Sequence, residues 1–234
     1  MFYFDTINNK KVLKSDFLSE AEHFFTTKES FIKTKDPVFS KETENNKNDI
    51  LNFLGVAELI CPKQTHSANI AFAENKKDFP NTDALILNRK NIAIYLNFAD
   101  CTPVILYDKK QNIGAIAHAG WRGTAQSILK KTLVKMNSNP KDIIALIGPC
   151  ICFKCFETSP EVILELKKTI DNTEGLFSER YADLKGINER QLRECAVDKI
   201  DICPYCTCCN NDLFFSYRGE NKTTNRISAV LRLN

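Results

Sequence analysis

Residues 91–124 read NIAIYLNFADCTPVILYDKKQNIGAIAHAGWRGT, and the argument for the fold starts there. Three apolar runs, Ile92 to Leu96, Val104 to Tyr107 and Ile113 to Ala117, follow one another with only short breaks between them, and each has the length and composition of a strand. Parallel neighbours need a long crossover, so strands this close in sequence must include antiparallel pairs. Outward from this block, strand-like runs recur at Glu58 to Cys61, Ala84 to Leu87, Ile143 to Ile147, Leu213 to Tyr217 and Ile227 to Leu233. Only Asn88 to Asn91 separate the Ala84 run from Ile92. Helical period is confined to Asn48 to Leu54, closed by Gly55; to Thr124 to Met136, with Ile128, Leu129, Leu133 and Met136 on one side; and to Glu161 to Ile170. Ser159-Pro160-Glu161 is a good helix start, since a capping hydroxyl, a preset φ and an acid complement the free amides and the dipole. Lys41 to Asp49, charged and Asn-rich, and Asp171 to Ser178 read as surface loops. Strands outnumber helices without alternating with them, so the expectation is an α+β fold with layered, mixed and partly antiparallel sheets, as one domain over residues 1–234.

The bulk composition narrows the function classes. The chain has 32 basic and 29 acidic residues, a formal charge of +3, and no basic block to meet a nucleic-acid backbone, so no nucleic-acid partner is expected. Met1 to Lys14 hold no charged start followed by an apolar run, and no later stretch approaches the ~20 apolar residues of a membrane span, which predicts a cytoplasmic protein with no membrane partner. In that compartment the ten cysteines are expected as thiols, available for metal binding, catalysis or plain burial.

The chain has three histidines, and two of them, His66 and His118, sit beside small residues at the ends of predicted strands. Cys101 lies between Asp100 and Thr102-Pro103, at a break between two apolar runs. Imidazole and thiolate are good zinc ligands, and three protein ligands leave a fourth position for water or substrate. The spacing is too wide for a local finger, so convergence depends on the fold, and a buried, hydrogen-bonded histidine at either position fits the same residues. Gly120-Trp121-Arg122-Gly123 precedes the helix expected from Thr124, where helix amides and the Arg122 guanidinium can hold phosphate; Arg122 paired with a surface carboxylate and Trp121 in the core is the alternative.

Two further cysteine groups stand out: Cys150, Cys152 and Cys155, and Cys203, Cys206, Cys208 and Cys209. Cys152-x2-Cys155 with Cys203-x2-Cys206 has the spacing of a four-thiolate zinc site, while cysteine-rich turns or small buried side chains explain the same pattern. Cys203-Pro204-Tyr205-Cys206 also matches a glutaredoxin-type motif, but that chemistry needs a helix start, and Thr207 to Asp212 are not helical in pattern.

Taken together, Gln64-Thr65-His66, Thr82-Asp83-Ala84-Leu85, Ala99-Asp100-Cys101-Thr102-Pro103-Val104, His118 to Thr124 and Ile147-Gly148-Pro149 resemble the laccase-domain purine nucleoside phosphorylase family in order and spacing. Asp183-Leu184, Asn188, Gln191-Leu192, Cys206-Thr207 and Phe214 to Arg218 extend the resemblance toward the C-terminus. It implies a layered α/β/β/α sandwich, zinc on His66, Cys101 and His118, and purine nucleosides and phosphate as small-molecule partners. It further implies phosphorolysis of adenosine, inosine, guanosine and methylthioadenosine, and deamination of adenosine; for the assembly, both a monomer and a homodimer stay open. Asp100 and Asp83 are candidates for orienting a ligand or taking a proton, and Lys28, Gln64, Arg122 and Arg226 for binding substrate or phosphate. Two departures matter: Lys28 stands where the family carries an arginine, without the neighbouring glycines, and Thr224-Asn225-Arg226 replaces a common Thr-Gly-Arg.

Other classes use the same residues. A copper-binding polyphenol oxidase is disfavoured because several coppers need many imidazoles, and the thioether ligand of a blue-copper site would have to come from Met1 or Met136. A cysteine hydrolase, with Cys101 as nucleophile and His118 as base in peptidoglycan precursor editing, predicts activity that survives a chelator, and a binding protein that has lost turnover predicts none.

Overall fold

The computed structural model describes residues 1–73 and 78–234. Among these, strands β1 (Phe2–Ile7), β2 (Lys10–Ser15), β3 (Ala21–Thr26), β4 (Glu58–Ile60), β7 (Ile92–Phe98) and β12 (Ile227–Leu233) form one six-stranded sheet in the order β1-β2-β3-β12-β7-β4. A second six-stranded sheet, in the order β11-β10-β8-β9-β6-β5, contains β5 (Ile70–Phe72), β6 (Ala84–Leu87), β8 (Thr102–Asp108), β9 (Ile113–Ala119), β10 (Ile143–Ile147) and β11 (Lys199–Ile202). Both sheets are mixed. β4 runs parallel to β7, and β5 and β11 parallel to β6 and β10, while the remaining pairs are antiparallel.

Period-two side-chain alternation explains the layering. In β8 and β9, Ile105, Tyr107 and Ile116 point between the sheets to meet Phe25, Ile94, Leu96, Phe98 and Leu231. Val104, Leu106, Ala115, Ala117 and Ala119 point the other way, onto Ile128, Leu129, Leu133 and Met136 of helix α3 (Ile128–Met136). The first sheet does the same with its outer side: Phe24, Ala93, Tyr95 and Val230 pack on Ile50 and Leu54 of helix α1 (Ser40–Leu54). The result is the expected α/β/β/α order. Central strands covered on both faces read as continuous apolar runs, and each fully buried Leu or Ile contributes roughly 1.5–3 kcal/mol.

Several expectations need correction. Lys41 to Asp49 is not a loop but most of α1. Its polar residues face solvent, whereas Thr43, Asn46, Ile50 and Leu54, spaced three or four apart, are buried, and Gly55 ends the helix at φ 62°. The segment Thr124 to Met136 is two helices, α2 (Trp121–Ala125) and α3, because Ser127 adopts the left-handed conformation at φ 54°. Helix α4 spans Pro160–Lys167 with Ser159 at its N-cap, shorter than expected at its C-terminal end. Leu213 to Tyr217 is a set of turns rather than a strand: Phe214 and Phe215 are apolar because they plug the core from a loop. Sequence periodicity also overlooked the hairpin of β1 and β2, turned by Asn8 and Asn9 at φ 48° and 63°, the strands β3, β5 and β11, and helix α5 (Leu184–Glu194). No helix among the described residues is long and apolar enough to cross a membrane.

Candidate metal centre and its cleft

The link from β7 to β8 carries the chain from one sheet into the other, and Ala99-Asp100-Cys101 is that link. Crossing between layers forces Asp100 to φ 81°, which a non-glycine residue holds only when its surroundings fix it. They do: the Asp100 carboxylate accepts hydrogen bonds from Thr207 Oγ1 at 2.7 Å and from the Arg218 amide at 2.7 Å, and its carbonyl accepts one from the Ile151 amide at 3.0 Å. Cys101 is thereby set at the open end of the space between the sheets.

His118 arrives from β9. It sits opposite Pro103 in the β8–β9 register and shares the inter-sheet face with Ile116, so its ring points inward and meets Phe98 at a centroid distance of 5.3 Å. His66 comes from the loop after β4, at φ 63°, with its ring centroid 4.8 Å from that of His118. The ligand atoms of His66, Cys101 and His118 all lie within 4.8 Å of one another.

Asp83, at the entrance to β6, organises this group. Its fully buried carboxylate accepts from His118 Nδ1 at 2.8 Å, from the amides of Thr65, His66 and Ser67 at 3.1, 3.0 and 2.7 Å, and from Ser67 Oγ at 2.7 Å. One side chain therefore orients the His118 ring and shapes the turn that presents His66. Burial pushes the Asp83 carboxyl up, yet the hydrogen bonds from His118 and Ser67 outweigh it and hold the group well below the usual carboxylate range. Burial likewise opposes charge on Cys101 and His118. Attraction between thiolate and imidazolium wins at both, so the thiol is lowered and the imidazole raised.

These residues fit a metal ion by their own chemistry. With Nδ1 committed to Asp83, His118 has Nε2 left to ligate, the carboxylate–histidine arrangement that fixes tautomer and ring direction in metal sites. Gly120 keeps space beside the thiol: a Cβ there would lie 2.8 Å from Cys101 Sγ. Two imidazoles and one thiolate suit zinc and leave a further position open toward solvent.

That position faces a cleft of about 920 Å³. Its walls carry Lys33, Lys35, Lys63, Arg122, Arg218, Lys222 and Arg226, against Asp100 as the one carboxylate among the described lining residues. Lys63 pairs with Asp78, and Arg218 donates to the carbonyls of Cys155 and Glu157. Lys33, Lys35, Lys222 and Arg122 have no carboxylate partner among the described residues, and the Arg122 guanidinium lies 4.2 Å from the Trp121 ring centroid. Trp121, Phe156 and Tyr217 add aromatic surface. The cleft is thus cationic and partly aromatic around the three candidate ligand atoms of His66, Cys101 and His118, which suits an anion together with a flat heterocycle.

Of the sequence candidates, Arg122 and Arg226 stand on the cleft wall, with Arg226 also donating to the carbonyls of Thr223 and Asn225. Gln64 lines the cleft too, but its amide is occupied by the backbone of Asn97, donating to its carbonyl at 2.9 Å and accepting from its amide at 2.8 Å. It pins the His66 loop to β7. Lys28 is elsewhere: its ammonium pairs with Glu220 at 2.7 Å and lies over the Phe215 ring, and the residue does not line the cleft. Lys33, Lys35 and Lys222 take up cationic positions that sequence reasoning missed. The one available signal was Lys33-x-Lys35, weak in a chain so evenly charged.

The family described as multi-copper polyphenol oxidoreductase laccase matches residues 33–234. A purine nucleoside phosphorylase of Clostridium acetobutylicum is 31% identical over 235 residues, covering 96% of this chain and 99% of that protein. Adenosine deaminase RL5, from an unknown prokaryotic organism, is 32% identical over 182 residues, covering 69% of this chain and 70% of its own. The crystal structure of YlmD from Geobacillus stearothermophilus matches with a TM-score of 0.87 at 25% identity, covering 99% of this chain and 98% of that one.

Proposed function

Because this chain belongs to the multi-copper polyphenol oxidoreductase laccase family, we propose that it is a zinc-dependent purine nucleoside phosphorylase that also deaminates adenosine. The observation that carries this reading is the convergence of His66, Cys101 and His118 on the floor of a cationic cleft, with His118 locked by Asp83. Adenosine, inosine, guanosine and methylthioadenosine share the purine and ribose that the cleft would hold. Three histidines in the whole chain are too few for several coppers, which argues against phenol oxidation despite the family's description.

When bound by His66, Cys101 and His118, zinc supplies Lewis-acid polarisation and lowers the pKa of water toward ~7. The protein's own groups do the rest. Phosphorolysis replaces the bond from C1′ to the base with a bond from C1′ to a phosphate oxygen, so the reaction needs a dianion held beside a sugar that gains positive charge. Arg122, Lys33, Lys35, Lys222 and Arg226 are the cations available to hold it, with the guanidinium groups offering forked donors. Trp121, Phe156 and Tyr217 offer flat surfaces for the purine. Asp83 keeps its charge and holds the His118 ring, and Asp100 holds the Cys101 turn through contacts to Thr207 and Arg218, so both act as positioning residues in this account.

Incubating the zinc-loaded protein with adenosine, with and without phosphate, and resolving the products tests the reading. Adenine formed only when phosphate is present supports phosphorolysis, and inosine supports deamination. Formation of neither adenine nor inosine would overturn the proposal. A second reading has one observation in its favour: Cys101, His118 and Asp83 also have the order of a nucleophile, base and orienting acid. His66 separates the two, because His66→Ala leaves that triad intact and removes a metal ligand.

A further inference from the structure

A second set of sulfur atoms converges away from the trio, and it is not the set that spacing pointed to. β10 and β11 are parallel neighbours, with Ile147 opposite Ile202, so the loops leaving their C-terminal ends lie side by side. The bridge between Cys150 and Cys206 extends that pairing, reinforced by the Cys203 amide donating to Ile147 and the Thr207 amide to Cys150. Each loop then makes a tight turn: the Cys155 and Phe156 amides donate to the Cys152 carbonyl, and the Asn210 amide to that of Cys206. The sulfurs that meet are those of Cys152, Cys155, Cys206 and Cys209, all within 4.8 Å of one another. Cys203, which the sequence reading paired with Cys206, is instead buried in the inter-sheet core.

From this juxtaposition of two Cys-x2-Cys turns we propose a closed four-thiolate site for a structural zinc ion, which clamps the two loops together. A tetrahedron with metal–sulfur bonds of ~2.3 Å has its sulfurs about 3.8 Å apart. The Cys155 and Cys209 sulfurs stand 3.5 Å apart, close to that spacing and far from the ~2.05 Å of a disulfide. The backbone is arranged for thiolate charge: the amides of Cys152 and Cys209 point at Cys206 Sγ at 3.3 and 3.4 Å. Cys209 is exposed, which gives the ion a way in, and the thiols release their protons to solvent as it binds. Four protein ligands leave no position for substrate, so the site is structural where the histidine-containing trio is open.

The clamp bears on the cleft. Arg218 donates to the carbonyls of Cys155 and Glu157, while its amide and the Thr207 hydroxyl hold the Asp100 carboxylate beside Cys101. Loss of the ion loosens the loops that carry these contacts.

The test is zinc per chain in the full-length protein, purified under reductant, saturated with zinc and dialysed. Two zinc ions per chain are expected, falling to one in Cys155→Ser/Cys209→Ser, to one in His66→Ala, and to none in the combination. Thermal unfolding should fall further in the cysteine variant than in His66→Ala. Cobalt added to metal-free His66→Ala should produce the intense thiolate-to-cobalt absorption of a four-sulfur tetrahedron, a readout that does not need the cysteine variant to fold. A single zinc per chain that is kept in Cys155→Ser/Cys209→Ser, an absent four-sulfur spectrum, or iron in place of zinc at this site would each overturn the proposal.

Discussion

Replacing Asp83 by asparagine keeps the shape of the side chain and removes only its charge and half of its acceptors, so it isolates what the carboxylate does. In the native chain one oxygen accepts from His118 Nδ1 and the His66 amide, and the other from the Thr65 and Ser67 amides and the Ser67 hydroxyl. Whichever way the new amide turns, its NH2 faces two of these N–H groups. Each buried donor left without an acceptor costs about 1–3 kcal/mol, so a stability loss of roughly 2–6 kcal/mol is expected in the metal-free protein. For a chain of this size that is about 4 °C or more of melting temperature. His118 can recover its hydrogen bond by moving its proton to Nε2 and accepting from the amide at Nδ1, but the proton then blocks the nitrogen that faces the trio. Zinc affinity should therefore fall at least about 10–100-fold, the usual effect of removing such a partner, which is about 1.4–2.7 kcal/mol. Competition against a chromogenic chelator measures the affinity, and thermal unfolding measures the stability. Asp83→Asn protein that binds zinc as tightly as the wild type would refute the argument that Asp83 sets the His118 tautomer.

Further outcomes follow from the same geometry. The imidazolium beside Cys101 lowers its thiol, so in metal-free protein the alkylation of Cys101 should persist as pH falls below the range of an ordinary thiol, and His118→Ala should move the midpoint upward; mass spectrometry of the modified peptide against pH reads this directly. Gly120→Ala puts a methyl 2.8 Å from Cys101 Sγ, an overpacking that costs about 1–3 kcal/mol and displaces a ligand, so both melting temperature and bound zinc should fall. Exchanging Lys33, Lys35 and Lys222 for glutamine should raise the KM for phosphate and flatten its dependence on salt while leaving bound zinc unchanged, whereas Lys28→Gln, whose ammonium rests on Glu220, should leave that KM where it was.

The parts of the molecule that were legible in sequence share a physical cause. β6 to β10 are buried on both faces, so their composition alone marks them, and the block from Ile92 to Thr124 orders the sheets and the site together. Only the C-terminal half of α1, Asn48 to Leu54, was legible, because the N-terminal half covers the sheet with just Thr43 and Asn46 among charged residues and asparagine. Phe214 and Phe215 misled in the opposite direction, since apolar content tells of burial and not of backbone conformation. In the candidate site, His66, Cys101 and His118 were identifiable through resemblance, not spacing. The role of Asp83 as organiser needed coordinates, because its donors come from residues 65–67 and from His118, which sequence distance keeps apart. The pairing of Cys206 with Cys209 was hidden by four cysteines within seven residues, where only the register of β10 against β11 chooses among them.

The most direct test of the central claim is adenosine turnover as zinc is returned to metal-free protein. The account predicts activity that is lost on chelation, rises in proportion to the metal bound by His66, Cys101 and His118, and stays absent in His66→Ala at every zinc concentration. Turnover that survives full removal of the metal, or that persists in His66→Ala, would contradict it.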